Sequence, residues 1–214
     1  MSKPTLHYLY DPFCGWCYGA APLVSAATEI EGLTIKPHGI GMLSDDQSKR
    51  MSGEWRDFVR PHEERITAYS KQEFGEAYVD GVLNHQDVML DSSPPIAAML
   101  TAEKLSGRGL EMLKRLQTAY YQEGQAIADP LVIEQIANEL GFESERFMEM
   151  LKTVSKTSLG NHIKQSNTLM ALTHARGVPA FALELDGQFE ILHLGHYLGK
   201  PELFKETIEQ ELAK

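Results

Sequence analysis

The stretch TLHYLYDPFCGWC, residues 5–17, constrains the chain more than any other part of it. Residues 5–10 form a short run of aromatic and apolar side chains with high strand propensity. Asp11 and Pro12 break that run. From Cys14 to about Ile30 the apolar spacing becomes helical, with Ala20, Leu23, Val24 and Ala27 on one side, and Pro22 inside this stretch should kink it. Gly32 ends the helix, and residues 33–38 read as a second strand. The chain therefore opens strand, helix, strand. Its only two cysteines, Cys14 and Cys17, fall where the first strand meets the helix.

The middle of the chain offers no convincing strand. Ser93-Pro94 and Asp129-Pro130 each read as an N-cap followed by proline at the first helical position. Apolar stripes follow at Leu110, Leu113, Leu116 and Tyr120, at Val132, Ile133, Ile136 and Leu140, and at Phe147, Met150, Leu151 and Val154. Residues 43–176 are thus predicted to be a bundle of five or six helices. The pattern then returns to strands over residues 178–185 and 188–194, joined by Asp186-Gly187, a strong hairpin signal. A final helix begins near Pro201. The order β-α-β, helices, β-β-α defines an α/β chain with one mixed sheet. Residues 1–42 and 177–214 form the α/β domain, and residues 43–176 form a large all-helical insertion.

Three chemistries compete for the cysteine pair. A structural zinc site needs four ligands, and one C-x-x-C supplies two. His193 and His196 are close in sequence, but there is no second cysteine pair, so no metal is expected. A structural disulfide is disfavoured if the chain is cytoplasmic, as its start suggests: Lys3 is not followed by an apolar h-region or a small-residue cleavage site. Redox chemistry requires the pair to open a helix after a strand, which is where it lies. Unpaired backbone N–H groups and the positive end of the helix stabilise a thiolate there. Cys14, at the helix mouth, is expected to be the more exposed attacking thiol. Cys17, three residues on, shares its face at a separation suited to a disulfide. Phe13 and Trp16 flank the pair, either as an apolar surface for disulfide-bearing partners or as packing over the first turn. Asp11 reads either as a proton acceptor near Cys17 or as a cap on the strand end.

The joint pattern resembles the DsbA-like thioredoxin-fold oxidoreductases, in particular the cytoplasmic FrnE-like branch of predicted protein disulfide isomerases. DPFCGWC resembles that branch's Asp-Pro-x-Cys-x-Trp-Cys start, and Pro22 matches the kink proline of the thioredoxin active-site helix. GVPAF, residues 177–181, resembles the family's Gly-Val-Pro-x-Phe. LDSSPPIAAML and AYYQEGQAIADPLVIEQIANELGF resemble its inserted helical region. The resemblance implies a thioredoxin-like fold and a cis peptide bond between Val178 and Pro179 that faces the cysteines. It also implies a thiol-disulfide oxidoreductase that reduces, forms or isomerises disulfides by dithiol exchange. The dipeptide Gly15-Trp16 departs from the histidine-containing pair of DsbA and from the proline-containing pair of thioredoxin, so redox direction does not carry over.

No cofactor is expected beyond the redox-active pair, with glutathione as a candidate reductant. The expected partners are disulfide-bearing proteins, peptides or small thiols, together with a glutathione or thioredoxin system. The chain has 30 acidic and 20 basic side chains, a net charge of −10, which argues against nucleic acid and anionic membrane surfaces. Two other readings use the same scaffold: a glutathione-dependent isomerase or transferase of the kappa-like group, and a redox-regulated binding protein. The former carries a single serine or cysteine at the first position, so Cys17 favours dithiol exchange. HEER, residues 62–65, resembles the start of a zinc-protease helix, but Ile66 stands where the second ligand belongs. It reads as a solvated helix face.

Overall fold

The computed structural model describes residues 3–213. β1 (Thr5–Tyr10) is buried along its whole length. The expected helix after it is two: α1 (Gly15–Gly19) and α2 (Ala21–Ala27), separated at Ala20. Pro22 falls in the first turn of α2, where its missing N–H has no helical partner to lose. The kink foreseen from Pro22 is thus a break. β2 (Thr34–Gly39) returns parallel to β1, completing the β-α-β unit.

After a 3-10 turn at Asp45–Gln47, seven α-helices follow: α3 (Gly53–Ser70), the short α4 (Glu76–Tyr78) running into a π turn at Val79–Leu83, α5 (Ser93–Ser106), α6 (Gly109–Tyr121), α7 (Pro130–Glu139), α8 (Ser144–Thr157) and α9 (Leu159–Leu172). Asp129 caps α7 through the Leu131 N–H. At α5 the expected cap is displaced by one residue: Ser92, not Ser93, is the N-cap, and its hydroxyl is used elsewhere. This region also holds a strand pair that sequence patterning did not show. β3 (Lys49–Arg50) pairs antiparallel with β4 (Met89–Leu90), each only two residues long and too short to carry an alternating pattern.

β5 (Ala180–Leu185) and β6 (Gln188–Leu192) form the predicted hairpin. Asp186 and Gly187 both have positive φ, 46° and 81°, as a two-residue turn of the type favoured by strand twist requires. α10 (Leu194–Tyr197) and α11 (Pro201–Leu212) close the chain. The sheet order is β2-β1-β5-β6, with β5 antiparallel to β1. This is a thioredoxin-like α/β fold carrying many helices between its β-α-β and β-β-α halves.

Two buried apolar clusters fill the molecule. One, around β1, α2, β5 and α11, includes Cys14, Cys17, Tyr8, Phe181 and Phe204, with Met99 and Leu113 contributed by α5 and α6. The other lies among α3 to α9, yet Phe13 and Tyr18 from the cysteine segment are part of it. Each cluster thus borrows side chains from the other's region, and the cysteine segment lies between them. On the opposite face of the sheet, His7 bridges His38 at 2.9 Å and Glu184 at 2.8 Å.

α3 reaches the cysteine helix because α1 carries glycines on the contact side. A Cβ on Gly15 would lie 3.1 Å from Ile66 Cδ1, and one on Gly19 would lie 2.7 Å from Ile66 Cγ2. Gly19→Ala should therefore overpack the α1–α3 contact at a cost of about 1–3 kcal/mol. The helix-propensity gain of about 1 kcal/mol offsets part of that. A net loss of up to about 2 kcal/mol is expected in urea unfolding of the reduced protein. An unchanged or raised midpoint would show that Ile66 moves aside freely.

Candidate active site

β1 ends where Asp11 and Pro12 turn the chain, and Cys14 becomes the N-cap of α1. Its Sγ accepts a hydrogen bond from the Cys17 backbone N–H at 3.3 Å. A helix-end donor therefore sits on the sulfur that has to carry negative charge as a nucleophile. The same thiol lies against the loop before β5, donating to the Val178 carbonyl at 3.4 Å. The Val178-Pro179 bond is cis, as the family resemblance implied. The two segments are 164 residues apart in sequence, and the β1–β5 pairing brings them to the same end of the sheet.

The two cysteines are free thiols with unequal surroundings. Cys14 is 8% exposed, less open than its place at the helix mouth suggested, because the loop at Val178 and the helical region cover it. Cys17 is fully buried at 0%. Burial first, then its neighbour Cys14, push the Cys17 thiol well above its ordinary pKa, so it rests protonated. Tyr8 donates from its hydroxyl to the Cys17 carbonyl at 3.3 Å behind the pair.

Asp11 is fully buried. Its carboxylate accepts from the Phe13 N–H at 3.0 Å, the Met42 N–H at 2.7 Å and the Ser92 hydroxyl at 2.9 Å. These bonds cap the strand end, and they tie the cysteine loop to residues 31 and 81 positions away. Neither distant partner was legible in the sequence. Phe13 is buried and meets Tyr120 edge-on, and it also lines the cavity beside Cys14. Trp16 is half-buried at the rim.

Cys14 opens onto a cavity of about 700 Å³. Phe13, Gly15 and Trp16 form its wall on the cysteine side, and Gly177 and Val178 form its wall on the β5 side. The opposite wall is α3, with Trp55, Phe58, Val59, His62 and Ile66. Tyr78, Tyr120 and Tyr121 line the inner end. The HEER segment is a solvated face only in its second half: Glu64 and Arg65 are exposed, but His62 is half-buried in the cavity wall, and Glu63 is 4% exposed, bonded to the Tyr78 hydroxyl and Arg60. Sequence reading missed them because the only signal weighed there was metal-ligand spacing. Among the described residues, no group of three or more His, Cys, Asp or Glu side chains is arranged to hold a metal ion. None of the described helices is long and apolar enough to cross a membrane.

A helix-capping cysteine with a buried second thiol beside it, faced by a cis-proline loop on a thioredoxin-like sheet, defines a dithiol–disulfide exchange site. The DSBA-like thioredoxin domain matches residues 5–196, and the chain belongs to that family of thiol-disulfide oxidoreductases. Over 98% of both chains it is 44% identical, with a TM-score of 0.91, to the cytosolic disulfide reductase DsbM from Pseudomonas aeruginosa. The structure of DsbM with GSH gives 41% identity and a TM-score of 0.91, covering 98% of this chain and 100% of that one. A putative protein disulfide isomerase from Nitrosomonas europaea shares the fold at 19% identity, with a TM-score of 0.79 over 98% and 99% of the two chains. No curated protein sequence matches the chain.

Burial raises the Asp11 carboxyl from 3.8 to about 6. Protons are therefore bound more tightly in the folded state, and stability contributed through Asp11 is present at acid pH and lost as pH rises from about 4 to about 6. Across that window wild type should lose stability relative to Asp11→Asn by an amount on the order of 3 kcal/mol. Parallel urea titrations at each pH test this. A pH-independent gap between the two proteins would show that the carboxyl titrates normally.

Proposed function

We propose that this protein is a cytoplasmic disulfide reductase that works by dithiol exchange and draws its electrons from glutathione. The observation that carries the reading is the asymmetry of the pair: Cys14 faces the cavity and Cys17 is sealed behind it. The likeness to a cytosolic disulfide reductase, one structure of which contains GSH, supports the compartment, the direction and the reductant. The thiolate of Cys14 attacks one sulfur of a substrate disulfide, forming a Cys14–substrate bond and releasing the other sulfur as thiolate. Cys17, held close and protonated, then loses its proton and attacks Cys14 Sγ. The substrate leaves reduced, and a Cys14–Cys17 disulfide remains. Two glutathione thiols reduce that disulfide in turn, leaving oxidised glutathione.

The same atoms run in reverse for oxidation, and reductive release from a wrong pairing is the first half of isomerisation. The reductase direction is therefore an assignment of physiological poise. The substrates that fit the cavity are small disulfides and peptide or protein disulfides presented on exposed segments. Within this reading Phe13, Gly15 and Trp16 shape the site, Val178 and Pro179 bound the groove beside Cys14, and Asp11 holds the loop.

Trapping tests the assignment of roles. Cys17→Ser should accumulate a mixed disulfide at Cys14 when incubated with oxidised substrate, seen as an added mass in intact-protein spectrometry. Cys14→Ser should neither trap substrate nor turn it over with glutathione. With limiting iodoacetamide, Cys14 should label first in the reduced wild type. Preferential labelling of Cys17 would reverse the roles.

A further inference from the structure

The α3 wall of the cavity carries a histidine that the exchange chemistry above does not use. His62 Nδ1 is 3.4 Å from the Trp16 indole Nε1, and the two rings meet edge to face. An indole nitrogen can only donate, so Nδ1 is the acceptor. The neutral imidazole must then carry its proton on Nε2. Trp16 thereby fixes the tautomer, and Phe58 holds the ring from the other side with centroids 5.1 Å apart. Nε2–H has no hydrogen-bond partner among the described residues. It belongs to a half-buried side chain lining the same cavity as Cys14.

When Cys14 attacks a disulfide, the negative charge of the attacking sulfur moves to the departing one. On that reading the sulfur departs into the cavity, whose lining beside His62 includes the apolar side chains Trp55, Val59 and Ile66. A fixed donor in such surroundings stabilises developing charge more than the same donor in water. We propose that His62, oriented by Trp16, is the hydrogen-bond donor to the leaving thiolate. The inference rests on the disulfide-exchange reading of Cys14. In the step, the Cys14–sulfur bond forms and the substrate sulfur–sulfur bond breaks with its electron pair on the distal sulfur. That thiolate accepts the Nε2–H hydrogen bond, then takes a proton from solvent as it leaves. His62 is not itself deprotonated.

A donor of this kind matters most where the leaving thiolate is basic. The test compares a dialkyl disulfide, hydroxyethyl disulfide, with dithiodipyridine, whose released sulfur delocalises its charge into the ring and leaves readily without help. His62→Leu should lower kcat/KM for hydroxyethyl disulfide about tenfold or more, the size of a hydrogen bond to a charged group, while dithiodipyridine reduction changes by no more than about twofold. His62→Gln, which keeps a donor, should recover most of the lost rate. Trp16→Phe, which keeps an aromatic ring but frees the tautomer, should show the same selective loss in weaker form. Equal loss on both disulfides, or no loss on either, would overturn the role of His62 and leave disulfide exchange standing. Wild-type reduction that survived Cys14→Ser would instead sink the exchange reading itself.

Discussion

The antiparallel pairing of β5 with β1 is the constraint on which the rest of the site depends. Leu9 faces Ala180 across that ladder, so the residues leaving β1 and those entering β5 emerge at the same end of the sheet. One carries Cys14 and the other carries Val178, and the thiol-to-carbonyl contact joins them. A slip of one residue in this register would turn β1's side chains over, exchanging the face that holds Tyr8 and Tyr10 with the one that holds His7 and Leu9. The register is held by packing: Tyr8 stacks on Tyr10 and on Phe181 at centroid distances of 5.4 and 5.0 Å.

The second constraint is the burial of Asp11. A carboxylate sealed from water is costly unless its oxygens are bonded, and here three donors from three parts of the chain converge on it. That convergence seats the helical region on the cysteine loop. The glycines of α1 then let α3 approach closely enough for its side chains to close the cavity. Most of the wall facing the cysteine side belongs to the helical region, so the chemistry sits on one part of the fold and the surroundings of the substrate on another.

What the sequence disclosed follows the range of the interactions. The strand–helix junction at the cysteines, the Asp186-Gly187 turn and the cap at Asp129 are decided by neighbouring residues, and each could be read directly. The cis bond at Pro179 was legible only through family resemblance. The β3–β4 ladder was hidden because two residues cannot show a period. Ser92 stands at the N-cap of α5 without a side-chain capping bond, because its hydroxyl is given to Asp11, a partner 81 residues away. The same reason hid His62 and Glu63. Their segment reads as a polar helix face until α3 is laid against α1, and nothing local in HEER indicates that contact. The exposure of Cys14 was overestimated for the same reason, since its cover comes from distant parts of the chain.

Trp16 and Trp55 are the chain's two tryptophans, and both line the cavity. Trp16 lies between the cysteines in sequence, and the Lys49 ammonium rests 3.7 Å from the Trp55 ring centroid. No indole is spent elsewhere in the core, so the tryptophan emission of the protein arises at this one place. Filling the cavity, changing the charge beside either ring or joining the two sulfurs alters the surroundings of an indole that lines it. Excited at wavelengths that tyrosine does not absorb, the molecule thus carries its own optical gauge of occupancy and oxidation state, without a label.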